Sequence, residues 1–428
     1  MTNLYMRQFF IAILFLCHTY NAAFSQASKI ITPAAKPEDA GISTERLKRI
    51  DRMVEEYIAN HWIPGAVVLI VRNGKTVYHK AYGYSDTENK TGLKKDDIFR
   101  IASQSKAVTS LAVMMLWEEG KFLLDDAVST YIPEFKNPTV LKTFNPIDSS
   151  YTTEPAKSEV TIRQLLTHTS GLDYAAIGSK EFTAIYAKAG VPSGIGSSQM
   201  VLGDKMKILA KLPLKHQPGE KWTYGLNTDM LGYLVEVLSG MSFDEFLRKR
   251  IFDPLGMKDT YFYLPKEKHT RLVPLYQDEN GPVKKVSGTI YDNVDPSYPS
   301  TAGKYFSGGA GLSSTVEDYA KFLQLFLQGG QYNNVRLLSR KTVELMLTNQ
   351  LEKIDNNIGL GFGLETPKND YLSPCSIGTF SWGGAFNTQY WADPKEKLIG
   401  LLFTNIYESN QWSIGDRFKA LTYQSIID

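Results

Sequence analysis

Two cysteines and six histidines in 428 residues set the first limits. Cys17 lies in an N-terminal segment considered below, so a mature chain would keep only Cys375 and could form no internal disulfide. A lone cysteine with no histidine or asparagine placed to activate it reads as a small buried hydrophobe. The histidines show no pair at metal-ligand spacing, which argues against a metallo-hydrolase; neither a metal nor any other cofactor is expected. An excess of one charge is missing as well. Lys+Arg 47 against Asp+Glu 45 leaves a formal +2, too weak a field to recommend nucleic acid or an acidic polymer as partner. No GxSxG elbow is present, which removes the usual α/β-hydrolase route to a reactive serine. The alternating glycines of "GLGFGLE" are followed by no helix that could receive a phosphate.

Long apolar runs are scarce too. The most apolar, "FFIAILFLC" (Phe9–Cys17), is about half the ~20 residues needed to cross a bilayer. Arg7 precedes it, and the small residues Ala23 and Ser25 follow before Gln26, the layout of a cleaved secretory signal over residues 1–25. A lipid-attached Cys17 is disfavoured by Leu16, which is larger than the residue such a site wants. The expectation is therefore an exported, periplasmic chain with no stable membrane span, whose residues 26–428 form one domain.

What is present is a sheet-and-helix pattern. "STERLKRIDRMVEEYIAN" (Ser43–Asn60) spaces its apolar residues as a helix does, with Ser43 as N-cap. "GAVVLIVRNGKTVYHKAYGY" is two β-rich runs around Asn73-Gly74, the dipeptide suited to a tight type I′ turn. From Lys106 to about residue 300 the pattern is mainly helical, with loops at "NPIDSSYTTEPAKSE" and "GPVKKVSGTIYDNVDPSYPSTAGKYF". "TVEDYAKFLQLFLQGG" is an amphipathic helix with a glycine stop. The strand-like runs "GTFSWGG", "TQYWADP" and "KLIGLLFTN" follow, and then a last helix over Asp416–Ile427. These elements predict an α+β fold: one antiparallel sheet (about residues 43–104 and 305–428) covered by the first and last helices. A mainly helical lobe (about 105–304) is inserted, and the site lies in the cleft between lobe and sheet.

"FRIASQSKAVTS" (Phe99–Ser110) carries the chemistry. A serine hydroxyl needs a neighbouring base to attack at neutral pH, and spacing of three puts Lys106 one helical turn beyond Ser103 on the same face. A lysine of ordinary pKa, near 10.4, is neutral in fewer than about one molecule in a thousand at pH 7. Such a base therefore needs a desolvated setting, which the apolar run "AVTSLAVMMLW" could supply. On local grounds the pair reads equally as the polar start of a buried helix.

"SQSK" is followed by "TIRQLLTHTSGL", "PGEKWTYG", "GGAGLSSTVEDYAKF" and "SWGGAFNTQYWADP". In that order the segments resemble the serine β-lactamase and penicillin-binding-protein superfamily, on its class C-like side, from about Ser43 to the C-terminus. The resemblance implies the β-lactamase/transpeptidase-like fold, an acylated Ser103 and an activating Lys106. It also implies that Tyr224 is the proton partner, although Leu226 stands where the family's Tyr-x-Asn motif has asparagine and Asn227 comes one position late. Tyr291 ("YDN") and Tyr332 ("YNN") match the motif but lack the flanking "PGEKW" and helix. Residues alone would also allow Tyr224 to be a core tyrosine.

Trp382-Gly383-Gly384 stands where the family has Lys-Thr-Gly or His-Thr-Gly, as the substrate-side strand. The amide of Ala385 beside that of Ser103 would form an oxyanion hole. A β-bulge next to a core tryptophan is the other reading of the same residues. Trp382 offers no cation for a substrate carboxylate. With the missing asparagine, this resembles the family's esterase and acyltransferase branch. His168 reads as a helix-end cap rather than a base. Trp222, Phe306, Trp382 and Phe386 are candidate pocket walls by sequence proximity. The function expected is an exported serine hydrolase acting on small or medium acyl esters, small-molecule ester or amide substrates being its partners. Rival readings are a β-lactamase or D-amino-acid peptidase with the same nucleophile, and a silent binding protein on the scaffold.

Overall fold

A computed structural model describes residues 30–428, except 198, 279, 280, 292 and 355. The expected signal segment and Cys17 lie outside the described residues. At the centre is an antiparallel sheet of five main strands: β1 (Gly65–Arg72), β2 (Lys75–Asp86), β3 (Phe380–Gly384), β4 (Thr388–Asp393) and β5 (Leu398–Phe403). Their spatial order is β2-β1-β5-β4-β3, so the early hairpin and the three late strands join where β1 pairs with β5. Asn73 and Gly74 carry φ of 54° and 73°, the two positive angles that a type I′ turn requires.

β1 is buried along its whole length because both faces are covered. Ala66, Val68 and Ile70 face one layer, whereas Val67, Leu69 and Val71 face the other, as the two-residue period of a strand demands. The first layer is made by α1 (Thr44–Ala59) and the C-terminal helix. Ser43 caps α1 by accepting from the Arg46 N–H at 3.3 Å. Trp391 of β4 meets Phe418 of the last helix at 4.9 Å between ring centroids, and Cys375 is buried in the same layer.

The second layer is made by the inserted lobe together with the helix that follows it. Its central helix α2 (Ser105–Glu118) is buried at every residue from Ser105 to Leu116. It therefore has core on all sides rather than one apolar stripe. α3 (Asn227–Ser239) packs beside it, and α4 (Val316–Leu327) lies under the sheet, where Tyr319 touches Tyr390 and Phe403. The helix over Ser413–Tyr423, α5, starts three residues before the expected Asp416 and stops sooner. The last residues instead turn back to α1, with the Ile427 N–H donating to Gly41 O at 3.0 Å.

One expected loop is ordered. Thr139–Phe144 and Tyr151–Pro155 form an antiparallel hairpin whose second strand is exposed throughout. No alternation of apolar residues marks it, because neither face of that strand is buried. Among the described residues no helix is long and apolar enough to cross a membrane.

The chain passes from sheet to lobe through Phe99–Arg100, which pairs with Ser313–Ser314 on the way back. The end of β3 closes on the same place. A Cβ on Gly384 would stand 2.3 Å from the Ile101 carbonyl oxygen and 2.3 Å from Thr388 Oγ1, so only glycine lets this strand lie against the turn that follows Ile101. Gly384→Ala is expected to destabilise the protein by ~1–3 kcal/mol, the usual penalty of overpacking, read as a lower urea midpoint at unchanged m-value. An unchanged midpoint would refute this close approach.

Candidate active site

Ser103 lies in a single 3-10 turn, Ala102–Gln104, that runs directly into α2. The Ile101 N–H donates to Leu312 O at 3.0 Å, and the Leu312 N–H donates to Ser105 Oγ at 3.1 Å, so the return strand grips the turn on both sides of the serine. Ala102, immediately before it, has φ of 42°, a left-handed conformation that costs an L-residue ~1–2 kcal/mol. Ala102 is fully buried. Surrounding packing, not local preference, therefore holds the serine where it is.

Lys106 turns its side chain back to Ser103. Its Nζ lies 3.1 Å from Ser103 Oγ, 2.9 Å from the Tyr174 hydroxyl and 2.8 Å from the Gly309 carbonyl. A carbonyl can only accept, so the bond to Gly309 fixes one N–H and leaves the nitrogen's other two positions to the serine and Tyr174. The Tyr224 hydroxyl donates to the same Oγ at 2.7 Å, and Lys106 Nζ stands 4.5 Å from the centroid of the Tyr224 ring. Sequence separations of 3 and 121 residues thus converge on one oxygen.

Four rings cage Tyr224. Trp222 stacks on it at 5.8 Å and 18°, Trp382 tilts against it at 6.0 Å, and His168 and Tyr174 approach to 5.0 and 5.2 Å. Tyr174 was not expected from the sequence. Burial first, then the neighbouring Tyr224 and Asp229, pushes its phenol well above the ordinary range, so it stays neutral and serves Lys106 as an acceptor. Nothing in its local pattern marked it, since it meets Lys106 only through folding. Gly309 was foreshadowed by the paired glycines of "GGAGL", a sign of close backbone approach.

His168 does not cap a helix with its side chain. Its Nδ1 pairs with Asn227 Nδ2 at 3.0 Å, and burial, then the Lys106 charge, drives its pKa well below the usual range. It is a neutral imidazole packed on Tyr224 and is not a hydrogen-bond partner of Ser103. Asn227, the displaced asparagine of the motif, is fully buried between His168 and Ser170 and presents nothing to a ligand. Tyr332 accepts from the Ile31 N–H, and Tyr291 packs on Tyr407 and Phe386; neither joins the Ser103 network.

Trp382, Gly383 and Gly384 form the last part of β3, and Ala385 follows directly. Neither the Ser103 nor the Ala385 N–H is a donor in the hydrogen bonds of the described residues, and Ala385 packs in the same apolar cluster as Ala102. Of the four aromatic residues expected to line a pocket, Trp222 and Trp382 flank Tyr224. Phe386 has no exposed surface, so sequence proximity misplaced it, and Phe306, half-buried, packs on Phe262 and Tyr263. As a chemical unit the arrangement offers a hydroxyl oxygen with two proton-handling neighbours, next to two backbone amides that donate to no other group among the described residues.

The sequence profile of the Beta-lactamase family matches residues 50–424. Protein Rv1367c of Mycobacterium tuberculosis is 33% identical over 355 residues, covering 79% of this chain and 84% of its own. Esterase EstB of Burkholderia gladioli is 29% identical over 377 residues, covering 83% and 90% respectively. Among solved structures, that of EstCE1, a hydrolase with promiscuous acyltransferase activity, superposes with a TM-score of 0.77 at 27% identity, covering 88% of this chain and 98% of its own. Together with the Ser103 cluster, these matches establish that the chain belongs to the Beta-lactamase family and is a serine hydrolase on that fold.

Proposed function

We propose that the protein is an exported carboxylic-ester hydrolase that works through a covalent acyl-Ser103. Ser103 Oγ attacks the ester carbonyl while its proton passes to the Tyr224 oxygen, in the form of the Tyr224–Lys106 pair that has shed one proton as phenolate beside ammonium, and the tetrahedral oxyanion is received by the amides of Ser103 and Ala385. Collapse expels the alcohol, which takes the proton back. Water, or a second alcohol, then attacks the acyl-enzyme and surrenders its proton by the same route, releasing acid or a new ester and restoring Ser103. Loss of one oxyanion donor typically costs ~3 kcal/mol of transition-state stabilisation. The N-terminal residues 1–25, read as a signal, support a periplasmic location.

Trp382 is the observation that carries the ester reading. It stands beside Tyr224 where a cation would otherwise meet a substrate carboxylate, and a hydrogen bond to a charged group contributes about 1.5–3 kcal/mol. An apolar ring at that point favours uncharged acyl groups. The names of EstB and EstCE1 support the same direction, and the second suggests that an alcohol acceptor can replace water.

The wild-type protein is expected to hydrolyse p-nitrophenyl butyrate with a kcat/KM well above that for a chromogenic cephalosporin; a strong preference for the cephalosporin would overturn the ester assignment. Trp382→Lys should shift the ratio of the two about 10- to 100-fold toward the anionic substrate, the worth of one charged hydrogen bond. Ser103→Ala should abolish the mass adduct left by a fluorophosphonate. Tyr224→Phe should slow its formation by ~10²–10⁴-fold, the range of a lost general acid or base; a change below about threefold would remove Tyr224 from the chemistry.

A further inference from the structure

Asp229, on the first turn of α3, is 1% exposed. Its Oδ1 accepts from the Tyr305 hydroxyl at 3.3 Å, whereas Oδ2 has no partner at hydrogen-bonding distance and angle. A buried carboxylate with an oxygen left unbonded is costly; on the same helix Asn227 and Thr228 before it are buried and polar, Met230 and Leu231 after it buried and apolar.

What faces it explains the cost. The point where a Cβ of Gly309 would sit is 2.6 Å from Asp229 Oδ2, 3.5 Å from the Tyr174 hydroxyl and 3.6 Å from Lys106 Nζ. The carboxylate and the lysine nitrogen are therefore within roughly 6 Å of each other, the range in which opposite charges support one another. Among the described residues that surround it, Lys106 from α2 brings a positive charge. Tyr305, Ser307 and Gly309 face Asp229 from the segment before α4, and Tyr174 from the loop after His168. Burial and then neighbouring groups, Asp229 among them, keep both phenols neutral. Gly194, on a further loop, brings only backbone.

We propose that Asp229 is a positioning residue of the Ser103 site: its carboxylate balances the Lys106 charge and keeps that nitrogen aimed at Ser103 Oγ. Burial raises the Asp229 carboxyl to about 6; the Ser307 hydroxyl, the Lys106 charge, the Tyr305 hydroxyl and the Gly309 amide oppose the rise without closing a bond on Oδ2. The carboxylate is thus present at neutral pH and lost on mild acidification. Because its folded value lies above the ordinary 3.8, the ionised group weakens the fold above about pH 6. That burden is relieved as pH falls.

This inference rests on Ser103 as nucleophile, and the test separates the two. The second-order rate of fluorophosphonate labelling at Ser103, followed by intact mass between pH 5 and 9, is compared in wild type and in the near-isosteric Asp229→Asn, with Tm measured on both. Wild-type labelling should fall as pH drops through about 6. Asp229→Asn should label about tenfold or more slowly at pH 8, the scale of a lost charged interaction, and lack that acid limb. Its Tm at pH 8 should match or exceed that of wild type. An unchanged rate and profile would overturn the proposal. So would a rate loss accompanied by a lower Tm and an unmoved acid limb, the mark of a merely structural residue. No labelling of wild type would instead overturn the nucleophile assignment, and this inference with it.

Discussion

The hydrogen bond from Lys106 Nζ to the Gly309 carbonyl is the contact on which the rest of the site depends. Lys106 is 2% exposed, and an ammonium taken out of water is stable only when its donors are used and its charge is answered. A backbone carbonyl does not titrate, does not rotate and cannot donate. It therefore pins one N–H in a fixed direction, and the tetrahedral geometry of the nitrogen sends the others toward Ser103 and Tyr174. Gly309 must be glycine for this to happen, since any side chain there would occupy the space shared by Lys106, Tyr174 and Asp229.

The architecture serves that contact by joining segments far apart in sequence at one crossing. Ser103 and Lys106 are where the chain leaves the sheet for the lobe, and Gly309 is where it returns, the two passes being stitched by Phe99–Arg100 against Ser313–Ser314. β1, buried on both faces, makes the frame stiff, and Gly384 lets the edge strand close against the same turn. The nucleophilic turn is thus held by three segments instead of by its own preferences. That is how a left-handed Ala102 survives ahead of Ser103.

The sequence pattern was most legible where local rules and burial agree. The capped first helix, the Asn73-Gly74 hairpin, the glycine-stopped α4 and the three closing strands all repeat an apolar period that the layers then use. Ser103, Lys106 and Tyr224 could be named because each lies in a motif of recognisable order. Tyr174 and Asp229 could not, since their partners are 68 and 76 residues away and neither sits in a run whose pattern demands a polar residue. Phe386 was misplaced for a related reason: adjacency to Ala385 along a strand end says nothing about which face a side chain takes, and this one turns into the core. The second strand of the hairpin, Tyr151–Pro155, was illegible because a strand with no buried face writes no alternation into its sequence.

Trp382 and Asp229 belong to one electrostatic problem. Were a lysine to stand at position 382, it would bring a second cation close to Tyr224 and Lys106, and an anionic substrate would neutralise it. With tryptophan there, Lys106 is left facing the Asp229 carboxylate, and the pair balances without help from any ligand. On the proposed ester reading, a substrate carboxylate beside Trp382 would meet an aromatic wall instead of a cation, and desolvating it there would cost several kcal/mol. Neutral acyl groups avoid that cost. On that reading, Trp382 and the buried acid that balances the charge of the nucleophile's partner are therefore compatible parts of the same site: acyl-transfer machinery combined with a wall that favours uncharged acyl groups.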